Sequence, residues 1–438
     1  MDELTKATLR FIGDPKSQPM GDNELFARLA VEKPVIRAGT VWIISRHDLV
    51  TKLARHPAGA LRMPDEWSAT RHLDEAASRI LDGLLPIQPP ADHQRLRRLL
   101  ASQFSAKSVA GLRPDVRAIV ADLLAGPLRQ GECEFVGEVC GPLPVYTTAA
   151  MLGLPPEDRP RVLGWASAVN SAVVNEVTGR VGGRYGTPGS AAETGIAEVI
   201  GYINELVATR GDGDDLISRL KRASSEEDGR LSHDELVSMV LMLFMTGIDT
   251  VGSALANVVL ALHRHPAAWR RVVADPSLAA AAYVEGIRLY PPLPLMSRIA
   301  ESDIELDGIT IPKGSTMLLL YGAANLDPAV FTDPLAFDLD RTESRHLAFG
   351  HGPHYCLGAS LAVLQGELVL AALAAHTPDF SLVDTALRRR DEMAFHSPAE
   401  LHVGLAPRSA TSTADAPPMS PASEIPAGCP FSSAPAGV

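Results

Sequence analysis

The residues best placed to do chemistry surround Cys356. Residues 349–358 read Phe349-Gly350-His351-Gly352-Pro353-His354-Tyr355-Cys356-Leu357-Gly358, directly ahead of a helical run. Glycine permits tight turns and lets a backbone approach a flat ligand closely. Backbone N–H groups at a helix N-terminus stabilise negative charge, which suits a thiolate at Cys356. Taken alone, the stretch fits a buried, inert thiol in a glycine-rich turn just as well.

A second group, Thr246-Gly247-Ile248-Asp249-Thr250, lies within an apolar run. Polar groups so deep in an apolar helix are expensive unless they bond to something. They serve either a buried reaction site or a hydroxyl back-bond to the preceding turn. A glycine inside a helix costs about 1 kcal/mol. Glu285 and Arg288 stand at i and i+3, and His93 and Arg97 at i and i+4, so each pair shares one helix face.

The cysteine stretch closely resembles the haem-binding loop of the cytochrome P450 family, Phe-Gly-x-Gly-x-x-x-Cys-x-Gly, and further motifs stand in family order along the chain. The resemblance implies haem b with Cys356 as axial thiolate on the iron, Phe349 packed near the sulfur, and Gly350 and Gly358 shaping the loop. A thiolate ligand pushes electron density onto iron and favours O–O cleavage. His93, Arg97, Arg298 and His354 match the family's contacts to the haem propionates. Glu285 and Arg288 match its Glu-x-x-Arg, a structural pair locking the core beside the haem. A third basic residue usually completes that network where this chain has Ala336, leaving Arg341 or another residue to substitute.

Residues 246–250 resemble the family's Ala/Gly-Gly-x-Asp/Glu-Thr. By that resemblance Gly247 leaves room for dioxygen and loosens the helix, Thr250 hydrogen-bonds bound dioxygen, and Asp249 feeds protons inward. Thr246 replaces the usual Ala or Gly, so its hydroxyl either reaches into the substrate pocket or satisfies a backbone carbonyl. By family position, Leu61, Met63, Trp67, Val173, Met242, Met245, Thr246, Leu295, Met296 and Phe395 meet substrate. Such a lining is largely apolar, with several adaptable methionines. Most of these residues also suit ordinary core. The glycine-rich 179–189 stretch reads as a lid connection.

The elements that position these groups are mostly helical. Residues 35–45 read as two short strands around Ala38-Gly39, and helical spacing dominates from about residue 92 to residue 285. Ser232-His233-Asp234-Glu235 is a capping box ahead of an apolar run, predicting a helix past residue 260 that crosses the core. Residues 303–319 alternate and turn as a small antiparallel sheet should. A helix is predicted from about Gly358 to His376, then short strands to residue 405. The expected fold is mainly α with a minor antiparallel β part. It is the cytochrome P450 fold over residues 1–407, with haem between the long central helix and the cysteine loop. Residues 408–438, rich in Pro, Ala and Ser, read as a disordered tail.

Composition bounds the rest. A net charge of -12 argues against general nucleic-acid binding. The N-terminus lacks the basic and apolar regions of a secretory signal, and no stretch reads as the roughly 20 apolar residues of a membrane anchor. With four cysteines and no CxxC pair, reduced thiols in a cytoplasmic monomer are expected. The bias towards Ala, Arg, Gly and Pro points to a GC-rich, actinobacterial type of genome. A local basic patch at Arg95 and Arg98 can steer an acidic ferredoxin onto this acidic chain. The haem domain leaves no room for a flavin or iron–sulfur domain, so ferredoxin and ferredoxin reductase are the expected electron donors. The Asp249-Thr250 pair favours a monooxygenase that hydroxylates or epoxidises an apolar small molecule with dioxygen. Polyketides, terpenoids, peptides and steroids are the substrate classes implied. The alternatives are oxidative coupling or desaturation without oxygen insertion, and a non-catalytic haem-binding protein.

Overall fold

The computed structural model describes residues 1–13, 23–61, 75–165, 190–226, 231–383, 387–390 and 395–406. Met63, Trp67, Val173, Cys429, the 179–189 stretch and the 408–438 tail lie outside those residues. Five helices carry or flank the functional side chains: α1 (Pro90–Ala101), α2 (Pro142–Met151), α3 (His233–Arg264), α4 (Ala279–Leu289) and α5 (Ala359–His376). Helix α3 packs on α2 and α4, and α4 packs on α5, so α3 runs through the largest apolar cluster.

Helix α3 begins where its capping box predicts. Glu235 N–H donates to Ser232 Oγ at 3.1 Å, and Ser232 N–H donates to Glu235 Oε2 at 2.8 Å. Both reciprocal bonds satisfy donors that a helix start otherwise leaves open. All residues from Leu236 to Phe244 and from Val251 to Leu262 are buried. Between them the helix continues unbroken, but Thr246 is exposed and Met245, Gly247, Asp249 and Thr250 are half-buried. The loosening expected at Gly247 does not occur. A Cβ there would sit 3.4 Å from Thr148 Oγ1 of α2, an ordinary helix–helix contact distance.

By length and composition α3 and α5 could each cross a membrane, contrary to the expectation that no stretch would qualify. Their most apolar windows are 67% and 61% buried inside the fold, so that apolar surface is covered by the core itself.

The main sheet holds β1 (Val35–Ala38), β2 (Val41–Ile44), β3 (Gly59–Ala60), β4 (Met296–Ala300) and β5 (Thr316–Leu319), in the order β1-β2-β5-β4-β3. Strands β1 and β2 form the expected pair around Ala38-Gly39. The 303–319 stretch divides instead of forming one antiparallel unit. Ile304–Leu306 and Ile309–Ile311 make a separate hairpin, with Asp307 and Gly308 at φ of 49° and 79°. Two positive φ values in a two-residue loop match a right-handed strand twist. Strand β5 enters the main sheet, parallel to β2 and antiparallel to β4. Met317, Leu318 and Leu319 are fully buried, and such a strand is stable only with neighbours on both edges.

The ion pair predicted on α4 anchors the chain ahead of the cysteine loop. Arg288 Nε and Nη2 donate to the Glu285 carboxylate, each at 2.8 Å. Arg341 is the third member: its Nε donates to Glu285 Oε1 at 3.0 Å. Ala336 contributes its carbonyl, which accepts from Arg288 Nη2 at 3.1 Å and from Arg341 Nη2 at 3.3 Å. Arg288 Nη1 also reaches the carbonyls of Asn325 and Pro334, both at 2.9 Å. Arg341 thus supplies from a nearby position the cation that Ala336 cannot. The side chains of Arg288, Glu285 and Arg341 are only 1%, 5% and 6% exposed, so every charge depends on its partners.

Removing one partner from a buried pair costs about 3–5 kcal/mol, because the remaining charge stays buried. Arg341→Ala is therefore expected to lower the melting temperature markedly. Arg271→Ala, which breaks an exposed pair with Asp340, should leave it near the wild-type value. Equal melts for the two variants would contradict this account of the network.

Candidate functional site

Two glycines shape the loop before Cys356. Gly350 and Gly352 have φ of 73° and 74°, a left-handed backbone that other residues adopt only with strain. At Gly352 a side chain would also meet Arg55 Cγ at 2.7 Å and the Ala54 carbonyl at 3.1 Å. The loop closes when Cys356 N–H donates to the Phe349 carbonyl at 2.8 Å. Gly358 then caps α5, and a Cβ on it would meet nothing within 4 Å. His346 is buried beneath the loop against the Phe349 ring, at 5.7 Å between centroids. Burial and the Arg288 charge push its pKa down to about 4.

Three thiols lie in the described residues, and their surroundings separate them. Burial pushes Cys133 up to about 12 and holds Cys140 well above its ordinary value, with acidic neighbours adding to both shifts. Burial also raises Cys356, but the Gly358 N–H and the Arg97 guanidinium oppose it. Among these, Cys356 is the thiol with groups nearby that favour its anion.

Around Cys356 the cationic side chains predicted from the family register come together. Arg97 Nη2 donates to the Tyr355 carbonyl at 2.6 Å, beside the cysteine. The His93 and His354 rings lie 4.5 Å apart, tilted by 52°. Arg298 is 2% exposed, and its Nε is buried with no hydrogen-bond partner. Burial lowers the pKa of Arg97, Arg298 and His93, and pushes His354 down to about 3 with the help of Arg298, His93 and Arg97. Among the described residues no carboxylate forms an ion pair with any of the four. With the two imidazoles held neutral, the desolvated guanidiniums of Arg97 and Arg298 are costly unless an anion joins them. The set fits the two carboxylates of haem b, and the open space above Gly358 suits a flat macrocycle.

The polar stretch of α3 has a more specific arrangement than its sequence reveals. Thr246 Oγ1 donates to the Met242 carbonyl at 2.8 Å, and Thr250 Oγ1 to the Thr246 carbonyl at 2.8 Å. The Thr246 hydroxyl therefore satisfies a backbone carbonyl while its side chain stands exposed on an otherwise buried helix. The Asp249 carboxylate receives Arg390 Nη1 and Nη2 at 3.2 and 3.4 Å. No spacing in the sequence relates residue 249 to residue 390, so this partner was not foreseen. Of the substrate-contact residues, Met242, Leu295 and Phe395 are buried, whereas Leu61, Met245 and Met296 are half-buried. Of the expected basic patch, Arg98 is exposed, but Arg95 pairs with Glu235 at the start of α3 and with Asp92.

Comparison with known proteins points the same way. Residues 196–376 match the family model described as Cytochrome P450. The chain is 34% identical over 370 residues to the cytochrome P450 monooxygenase PikC of Streptomyces venezuelae, covering 82% of this chain and 84% of that protein. It is 34% identical over 338 residues to the cyclomarin C epoxidase CymV of Salinispora arenicola, covering 76% of this chain and 82% of that protein. The crystal structure of CalO2 matches with a TM-score of 0.82 at 28% identity, covering 93% of this chain and 99% of that chain.

Two outcomes follow from the charges around the loop. A hydrogen bond to a charged group is worth about 1.5–3 kcal/mol, so Arg298→Gln should weaken haem retention by about tenfold or more. Haem transfer to excess apomyoglobin measures this, and an unchanged transfer rate would remove Arg298 from the cradle. The second concerns acid stability. His346 has a folded pKa of about 4 against 6.5 ordinarily, so between those values the unfolded chain binds the extra proton. Stability falls as pH drops through that window. His346→Asn keeps an acceptor for the Ala348 N–H without titrating, so it should lose less stability than wild type between neutral pH and pH about 5. Parallel losses would show that His346 does not contribute.

Proposed function

Since the chain belongs to the cytochrome P450 family, whose members bind haem b, we propose that it is a monooxygenase that hydroxylates or epoxidises an apolar small molecule of secondary metabolism. One observation carries the reading: Cys356 lies beside Arg97 in a group of basic side chains with no carboxylate partner among the described residues, while a Thr-Asp pair occupies the less-buried stretch of α3. The names of the two relatives, a monooxygenase and an epoxidase, support oxygen insertion.

Each residue has a role that its surroundings permit. Cys356 would hold the iron through its thiolate, and the Gly358 N–H and Arg97 partly offset the burial that disfavours that anion. Arg97, Arg298, His93 and His354 bind the propionates and so fix the orientation of the ring. Haem b, when bound, supplies the binding and reductive activation of dioxygen. The Thr250 hydroxyl donates to the Thr246 carbonyl and keeps lone pairs free to accept a proton donor from the pocket side. Asp249 takes up solvent protons at its carboxylate and passes them towards Thr250. Thr246 narrows the pocket beside Met242, Met245, Leu295, Met296 and Phe395, and the methionines adapt to the shape of a bulky apolar substrate.

Electrons come from ferredoxin and ferredoxin reductase in the cytoplasm. Exposed Arg98 remains available to steer an acidic partner, whereas Arg95 is already paired.

The reduced carbon-monoxide spectrum tests the ligand assignment. The wild-type Soret band should take the long-wavelength position of thiolate haem, and Cys356→Ser should abolish it. A band that survives the substitution would exclude Cys356. With a substrate in hand, turnover under oxygen-18 gas should place one label in the product. An unlabelled oxidised product would instead indicate coupling or desaturation.

A further inference from the structure

Asp249, Ser253 and Asn257 stand at i, i+4 and i+8 on α3, and so on one face of the helix. All three bond to the chain around Phe395. Asp249 pairs with Arg390 at 3.2 Å, the Ser397 and Ser253 hydroxyls are 3.0 Å apart, and Asn257 Nδ2 donates to the His396 carbonyl at 2.7 Å. Arg390 closes the set on its own side. Its backbone N–H donates to the Ser397 carbonyl at 3.1 Å, and its guanidinium lies 5.5 Å from the centre of the Phe395 ring. Residues 390 and 395–397 are thus fastened to α3 along a polar stripe whose upper end is the expected proton carrier.

We infer that Arg390 is a positioning residue that couples the Phe395 side of the pocket to Asp249. This rests on the reading of Asp249 as the proton carrier. The side chains of Arg390 and Asp249 are 25% and 21% exposed, so their attraction is less screened than that of a surface pair. One guanidinium engages both oxygens of the Asp249 carboxylate, a geometry that a proton arriving at either oxygen disturbs. Each cycle of proton transfer must loosen the pair: a solvent proton neutralises Asp249, moves on towards Thr250, and the carboxylate re-forms with Arg390. A ligand that pushes on Phe395 displaces the guanidinium stacked beside it, and so releases the carboxylate while the pocket is filled.

The test is a cycle of Asp249→Asn, Arg390→Gln and the double variant in the haem-loaded protein, with Arg390→Lys as the conservative control. Each must first give the thiolate carbon-monoxide band, which separates loss of the family fold from loss of coupling. The probe for the pocket is 4-phenylimidazole, titrated spectroscopically. Each single variant should weaken its binding by about threefold or more, and the double variant should be no weaker than either single, because both break the same link. Multiplying effects would overturn the coupling. The second readout is NADH oxidation without substrate, using a surrogate ferredoxin and reductase. Arg390→Gln should raise it and Arg390→Lys should restore part of the restraint, while the double variant should match Asp249→Asn. An Arg390→Gln effect that persists with Asn at 249 would show that Arg390 does not act through Asp249. If Asp249→Asn oxidises NADH like wild type, the proton-carrier reading fails, and the ligand cycle alone then decides whether the pair anchors the Phe395 segment.

Discussion

Burying positive charge without negative charge to match it is the constraint around which this molecule is arranged. Arg97, Arg298, His93 and His354 come from three separate parts of the chain: α1, β4 and the cysteine loop. Arg97 and Arg298 carry the charge there and burial opposes it, while burial and those guanidiniums hold His93 and His354 neutral. Each desolvated ion costs several kcal/mol before any partner is counted. The surrounding fold must hold them together, and a ligand that brought negative charge would offset that cost. Such a ligand would help stabilise the region, as does any ligand that binds only the folded state.

The parts of the fold that resist this repulsion are rigid for identifiable reasons. Arg298 extends from β4, whose neighbour β5 is buried and paired on both edges. His93 and Arg97 project from α1, which Arg95 ties to Glu235 at the capped start of α3. The cysteine loop is bounded by α5 on one side. On the other, the chain from Asn325 to Arg341 is held by Arg288 and Glu285 through side-chain and carbonyl contacts. The internal network has a buried carboxylate, Glu285, shared by its two guanidiniums, whereas Arg97 and Arg298 have no carboxylate partner among the described residues. That contrast distinguishes charge used for structure from charge reserved for a ligand.

Much of this was legible in the sequence, and what was not follows a pattern. The capping box, the paired strands at 35–45 and the helix after Gly358 are local, set by neighbours within a few residues. The cysteine loop is legible because its glycines answer a backbone requirement, visible in the positive φ of Gly350 and Gly352. Arg341 could be named only as one candidate for the third cation, since local spacing does not say which basic side chain turns inward. The placement of β5 beside β2 was missed because alternation identifies a strand and not its partner. Arg95 was read as a free surface cation, but α1 passes the start of α3 and brings Glu235 within reach. Both errors concern pairing between elements distant in sequence, where periodicity carries no information.

The same distinction explains how α3 accommodates polar side chains within the core. A helix buried on all sides has little freedom, and its polar side chains must find partners within the protein. Thr246 and Thr250 solve this by returning their hydroxyls to the helix, which leaves backbone geometry intact and lone pairs available. Asp249, Ser253 and Asn257 solve it by binding a second segment, which makes that segment part of the helix's mechanical unit. Burial on this helix relents over a single stretch, between Met245 and Thr250. The segment holding Phe395 is fastened to the helix beside and below that turn, so the two are positioned together.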